Sequence, residues 1–190
     1  MKNKDIQPVP QSKRLGKKKI FTVFIIVVVV ISLVVLIIPA QFSLPVAGMS
    51  KQDYNQNSFW APWGDHMHAG VDIFGKIGTE IMSASNGIVI LAGSNTLGGN
   101  FVTILDADLR FHYYAHLKEL DIYIGDIVSA GDKIGTLGNT GSAKNTPPHL
   151  HYGIYCFIPN SFELPSHFNQ GLLKPFCINP IPLLNEEYSN

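Results

Sequence analysis

The chain has 190 residues, room for one ordinary domain with appendages, and 46% of them are hydrophobic, enough for a packed core. Its formal net charge of zero conceals an asymmetry: residues 1–19 carry seven Lys/Arg and one acid, while the remainder carries seven Lys/Arg against thirteen Asp/Glu, a net charge of −6. An acidic domain offers no basic footprint for a phosphate backbone, which sets nucleic acid aside as a partner.

After the basic tail 1–19 comes Ile20 to Ile38, an uncharged run of nineteen residues, almost all Ile, Val, Leu and Phe, closed by Pro39. As a helix it spans roughly 28 Å, close to the ~30 Å hydrocarbon core of a bilayer. A soluble strand is rarely longer than about ten residues. The run is therefore expected to be one N-terminal transmembrane helix, residues 20–38. Lys17, Lys18 and Lys19 directly precede it and Lys51 is the first cation after it. The positive-inside rule then puts the N-terminus in the cytoplasm and the rest outside. A cleaved signal peptide competes, but its apolar region is usually about 7–15 residues, shorter than this run. One anchor and a short tether suit a Gram-negative inner membrane, with the domain in the periplasm.

Residues 39–57 read as a polar linker, 58–184 as the folded domain and 185–190 as a frayed tail. Within the domain, Ile88–Ala92, Phe101–Leu105, Phe111–His116 and Leu150–Tyr155 carry β-branched and aromatic residues in short runs. Turn signals separate them: Asn86-Gly87, Leu97-Gly98-Gly99-Asn100, Ala130-Gly131-Asp132 and Asn139-Thr140-Gly141. Beyond residue 40 the sequence has no sustained 3.6-residue period. The expected fold is all-β, a small antiparallel sheet or sandwich. Residues 157–177 break the pattern and read as an insertion, placed to line a groove or contact a protein partner. Ile178–Leu183 is expected to return to the sheet edge. Cys156 and Cys177 flank the insertion, and an oxidising compartment permits a disulfide between them.

Six of the seven histidines lie within residues 66–151. In His149-Leu150-His151 a strand would project both imidazoles to one face, with Leu150 turned into the core. In His68-Ala69-Gly70-Val71-Asp72 the glycine and the β-prone residues after it favour a turn entering a strand, where imidazole and carboxylate can meet. Phe111 to His116, as a strand, puts His112, Tyr114 and His116 on one face and Tyr113 and Ala115 on the other. Any one motif alone is weak. Together, two imidazoles and one carboxylate leave the fourth position of tetrahedral zinc open for water, as hydrolysis requires, and further histidines remain to handle protons and an oxyanion.

These three motifs, in this order, resemble the lysostaphin/LytM-type zinc endopeptidases. The family pattern runs His-x-x-x-Asp, Tyr-Ala-His-Leu, His-Leu-His, matched here by His68 to Asp72, Tyr114 to Leu117 and His149 to His151. Gly78-Thr79-Glu80-Ile81, Asn86-Gly87-Ile88-Val89, Val128 to Gly135 and Gly138 to Gly141 match the connectors, so the likeness covers roughly residues 64–156. The resemblance implies a duplicated-hybrid-motif-like antiparallel β core with zinc in a groove. It implies zinc on His68, Asp72 and His151, and His116 with His149 as the catalytic pair, in either order of roles. Tyr114, placed beside His116, is a candidate to support the oxyanion. The implied substrate is the peptide part of bacterial peptidoglycan. The loop Ser142 to Pro148 is slightly longer than the commonest family spacing, and Pro147-Pro148 stiffens it.

Two other functions share these features: a regulator of wall hydrolases that has lost catalysis, and a zinc amidase acting on the sugar–peptide bond. The first usually lacks ligands, and here none is missing. A lipoyl-type carrier would need a lysine displayed at a hairpin tip, which Lys133 is not.

Overall fold

Glycine and Asx turns divide the β-rich runs into antiparallel strands in the computed structural model, which describes residues 16, 18–26, 29, 41–64, 66–159 and 173–188. In chain order the strands are β1 (Pro62–Trp63), β2 (His66–Met67), β3 (Val71–Phe74), β4 (Glu80–Met82), β5 (Gly87–Asn95) and β6 (Gly99–Asp106). They continue as β7 (Arg110–Leu117), β8 (Glu119–Leu120), β9 (Ile127–Val128), β10 (Lys133–Thr136), β11 (His149–Cys156) and β12 (Cys177–Ile178). The four runs expected as strands are β5, β6, β7 and β11.

Short polar side chains set the turns. Asn95 Oδ1 accepts the Leu97 and Gly98 N–H groups at 2.9 and 2.7 Å, closing the β5–β6 turn. Asp106 Oδ1 does the same for Asp108 and Arg110 at the β6–β7 turn, at 2.9 and 2.8 Å. The large sheet runs β12-β11-β7-β6-β5-β9, and β3 pairs with β11 on the edge that β12 also uses. A smaller sheet, β4-β10-β8, packs against it. Ile81 of β4 and Ile134 of β10 share one core with Val102, Ile104, Tyr114, Leu150, Tyr152 and Ile154 of the large sheet. Alternation along each strand decides the partition: Leu150 is 1% exposed, as its place between two histidines predicted.

Three expectations need correction. The segment read as a linker is largely part of the domain: Phe42 bridges to Ser85, Val46 to Ile81 and Tyr54 to Ile73. Val46, Met49 and Tyr54 are buried in the core, so the segment covers apolar surface that the two sheets leave open. At the C-terminus, β12 does join the sheet edge, but Ile181–Glu187 is a helix that buries Ile181 and Leu184 and was not legible in so short a period. The tail expected from 185 is likewise engaged, since Tyr54 donates from its hydroxyl to Asn185 Oδ1 at 2.9 Å. Both cysteines are present as thiols. Of the insertion 157–177, residues 160–172 lie outside the described residues.

The chain divides into two units, Met1–Val34 and Val35–Asn190. Residues 18–26 are helical. Most of the expected span 20–38 lies outside the described residues, and among those described no helix is long and apolar enough to cross a membrane.

Candidate metal centre

β3 and β11 run antiparallel with Asp72 directly opposite His151 and Phe74 opposite His149. A strand period of two therefore delivers Asp72, His149 and His151 to one face. The backbones approach closely here: a Cβ on Gly70 would lie 2.6 Å from the Tyr152 carbonyl oxygen and 2.9 Å from the His151 ring. His68 arrives from the β1–β2 hairpin, folded back by Trp60 N–H donating to His68 O at 2.7 Å and His68 N–H donating to Ala61 O at 2.9 Å.

The result is a triangle of ligand-type atoms. His68 Nε2 lies 3.0 Å from Asp72 Oδ1 and 3.0 Å from His151 Nδ1, and His151 Nδ1 lies 2.9 Å from Asp72 Oδ1. The Nδ1–H of His68 donates to Ser58 O at 3.1 Å. That bond fixes the tautomer and turns the Nε2 lone pair onto Asp72 and His151, an arrangement common to metal-ligating histidines. Lone pairs of two imidazoles and a carboxylate repel at such distances unless a proton or cation lies among them. The donor set and its spacing fit a small tetrahedral divalent ion, whose ligand atoms stand about 3.3 Å apart at bonds of about 2.0 Å.

His116 and His149 flank the triangle, their ring centroids 5.0 Å apart. Each commits its Nδ1–H to a carbonyl: His116 to Thr140 O at 2.9 Å, His149 to Pro147 O at 2.8 Å. Each Nε2 is left to accept or carry a proton, and that of His149 lies 3.9 Å from Asp72 Oδ1. The stiff Pro147-Pro148 step thus supplies the carbonyl that orients His149.

His116 departs from simple alternation. Its φ is +68°, a left-handed conformation unusual for a residue with a side chain. The twist takes His116 off the Tyr114 face and into the groove with Tyr113 and Ala115. Tyr114 is fully buried instead, its hydroxyl accepting the Ala84 N–H at 2.8 Å, so it has no place beside the oxyanion. His112 is also in the interior, between Asp106 Oδ2 at 3.0 Å and the Tyr152 hydroxyl at 2.7 Å. His66 sits in β2, exposed, and His167 lies outside the described residues.

Burial alone would raise the Asp72 carboxyl, but hydrogen bonds and charge from His151 and His68 overcome it and hold the carboxyl well below the usual range. Burial opposes the charged form of His68 too, yet the Asp72 hydrogen bond and charge, with the Ser58 carbonyl, raise it above its ordinary value. His116 has no hydrogen bond to Asp72, which favours its charged form only through its charge. Burial first, and the neighbouring imidazoles after it, push it down to about 4 despite the Thr140 carbonyl.

The five residues open on a cavity of about 280 Å³ whose walls include Trp63, Tyr113 and Tyr155. Trp63 stacks on His68 with ring centroids 5.4 Å apart. These aromatics were not singled out in the sequence, where each is indistinguishable from a packing residue.

The sequence profile of peptidase family M23 matches residues 66–160, half of the chain and all five of these residues. An L-Ala–D-Glu endopeptidase of Bacillus subtilis is 37% identical over 125 residues, covering 60% of this chain and 37% of that protein. A peptidoglycan DD-endopeptidase of Vibrio cholerae is 38% identical over 103 residues, covering 52% of this chain and 23% of its own length. The catalytic domain of lysostaphin from Staphylococcus simulans superimposes with a TM-score of 0.55 at 31% identity, over 72% of this chain and 98% of that domain. The chain thus spans well under half the length of the two curated relatives it matches.

Proposed function

Because the chain belongs to peptidase family M23, we propose that it is a membrane-anchored zinc endopeptidase hydrolysing peptide cross-links of bacterial peptidoglycan. The observation that carries this reading is the convergence of His68 Nε2, Asp72 Oδ1 and His151 Nδ1 within about 3.0 Å of one another, with the His149 Nε2 beside them. Relatives that are an L-Ala–D-Glu endopeptidase and a peptidoglycan DD-endopeptidase support a wall peptide as substrate.

His68, Asp72 and His151 would hold the ion, which when bound supplies Lewis acidity toward the scissile carbonyl and toward water. Proton work falls to His116 and His149. With each Nδ1–H committed to a carbonyl, Nε2 is the atom that accepts the proton of the attacking water in one case and, when it carries a proton of its own, donates to the developing oxyanion in the other. The proton then passes from imidazolium to the leaving amine. Trp63, Tyr113 and Tyr155 wall the groove in which the peptide would lie.

The same reading anchors the chain in the inner membrane through residues 20–38, with the N-terminus cytoplasmic and the hydrolase domain periplasmic. In its support, Ile20, Phe21, Val23, Phe24, Ile25 and Ile26 are all exposed around the helical segment, an apolar circumference that lipid satisfies.

The test is digestion of purified peptidoglycan by the full-length chain in detergent, with and without chelator, with released fragments identified by mass spectrometry. Cleavage within the peptides, abolished by chelator and restored by zinc, is expected. Release of intact stem peptides from the sugar would make the protein an amidase, and no release in the presence of zinc would make it a regulator.

A further inference from the structure

Gly138-Asn139-Thr140-Gly141 has no part in the metal triangle, yet it lies against the end of β7 that carries His116. The β6–β7 ladder slips there. Asn100 faces Leu117, but two residues along β6 Val102 faces Tyr114, three residues back along β7. Two residues of β7, Ala115 and His116, thus stand opposite the single Phe101 of β6. That is a β-bulge, and His116 within it has φ +68°. Bulges re-aim side chains, here from the Tyr114 face into the groove.

A bulge disrupts the ladder locally, and the backbone groups it displaces must be met from elsewhere. His116 N–H donates to Gly98 O at 2.7 Å, and His116 O accepts the Thr140 N–H at 3.4 Å. At the pair that closes the bulge, one side chain serves both strands. Thr140 Oγ1 accepts the Asn100 N–H at 2.9 Å and donates its own proton to Leu117 O at 2.8 Å. The Thr140 carbonyl in turn accepts the His116 Nδ1–H at 2.9 Å. Thr140 therefore holds His116 by its backbone and by its ring, and ties together the two strands beside it. The approach is close: a Cβ on Gly99 would strike the Thr140 hydroxyl, and one on Gly138 would lie 2.8 Å from His116 O.

We propose that Thr140 is a positioning residue for the hydrolysis: its hydroxyl locks the β7 bulge, and the locked bulge keeps the His116 imidazole turned into the groove. The proposal rests on the catalytic role given to His116 above. Thr140 is not among the residues that line the cavity, so it acts through His116. The position requires a single atom that accepts one hydrogen bond and donates another, which a hydroxyl does and a methyl group does not. Threonine adds stiffness, because its β-branch restricts χ1. Reacting groups tolerate little displacement, and a misplacement of about 1 Å costs about 10²-fold in rate. A loosened bulge would therefore lower turnover with every ligand and both catalytic histidines still present.

The test compares Thr140→Val, Thr140→Ser, His116→Ala and the double variant Thr140→Val/His116→Ala in the full-length chain, by kcat and KM on soluble fragments of purified peptidoglycan. Thr140→Val should keep one zinc per chain and lower kcat by about 10–10²-fold with KM little changed. Thr140→Ser keeps the hydroxyl and should retain most of the activity. Tyr114→Phe, which also loses a buried hydrogen bond, controls for stability alone and should keep its kcat. In the His116→Ala background Thr140→Val should cost nothing further, since the ring it positions is gone. NMR of isotope-labelled histidine gives a readout apart from activity. The His116 Nδ1–H should exchange faster in Thr140→Val, while that of His149, bonded to Pro147 O, stays as in wild type; Thr140→Ala replaces the valine variant throughout if valine does not fold. An unchanged kcat, an unchanged His116 signal, or an equal loss in the His116→Ala background overturns the proposal and leaves the endopeptidase reading standing. A wild-type chain that cleaves no peptide, or full activity in His116→Ala, overturns the reading beneath the proposal, and the proposal with it.

Discussion

Asp72 and His151 face each other across the β3–β11 ladder, with 2.9 Å between Oδ1 and Nδ1, and His68 Nε2 stands 3.0 Å from both atoms. Charge neutralisation at this point rests on one carboxylate. Asp72→Asn keeps the shape and removes the charge. Changing a partner of a ligand already weakens metal binding by about 10–100-fold, so changing the ligand itself should weaken it further. Competition titration with a coloured chelator reads this directly, and stoichiometric tight zinc in the variant would remove Asp72 from the site.

His116→Ala and His149→Ala should each retain one zinc per chain and lower turnover on wall fragments by about 10²-fold or more. Elemental analysis of the same preparations separates the two effects. Zinc loss in either variant would move that histidine into the ligand set.

Gly70→Ala places a methyl group 2.6 Å from the Tyr152 carbonyl oxygen and 2.9 Å from the His151 ring. Backbone cannot yield cheaply, so the imidazole or the strand must shift, at a cost of about 1–3 kcal/mol. A lower melting temperature together with weaker zinc binding is expected. An unchanged zinc affinity would mean that His151 is not held by this contact.

Tyr114→Phe deletes the hydroxyl that accepts the Ala84 N–H and leaves that donor buried and unpaired. The expected loss is about 1–3 kcal/mol of stability in chemical denaturation, with kcat unchanged. A large fall in kcat at unaltered stability would return Tyr114 to the chemistry.

Acid stability provides a check on His116, whose value is depressed from 6.5 to about 4 by burial. Between those values the unfolded chain binds more protons than the folded one, so stability rises with pH there. The contribution is complete above about 6.5 and gone below about 4. In chelator-treated protein, wild type should therefore lose more stability than His116→Gln as pH falls through this window. Parallel curves would show that His116 is not depressed.

Much of the site was legible because strand alternation is local covalent geometry. His149 and His151 share a face, Leu150 enters the core and Asp72 follows a turn into a strand, all as the residues dictate. The same rule misplaced His116 beside Tyr114, because one left-handed φ overrides alternation and is stabilised by the Gly98 and Thr140 carbonyls, far off in sequence. The segment from Phe42 to Tyr54 read as linker because its apolar residues lack a period; their role appears only where the sheets leave a gap.

By itself the sequence determined that Asp72, His149 and His151 sit on strands and that His149 and His151 share a face, since both follow from side-chain type and a period of two. Only the tertiary structure decided that His68 and His151, 83 residues apart, meet over one carboxylate, that Tyr113 rather than Tyr114 faces the groove, and which carbonyls orient the imidazoles. Those outcomes depend on the registry of distant strands, which is fixed by core packing across the whole domain rather than by any neighbouring residues.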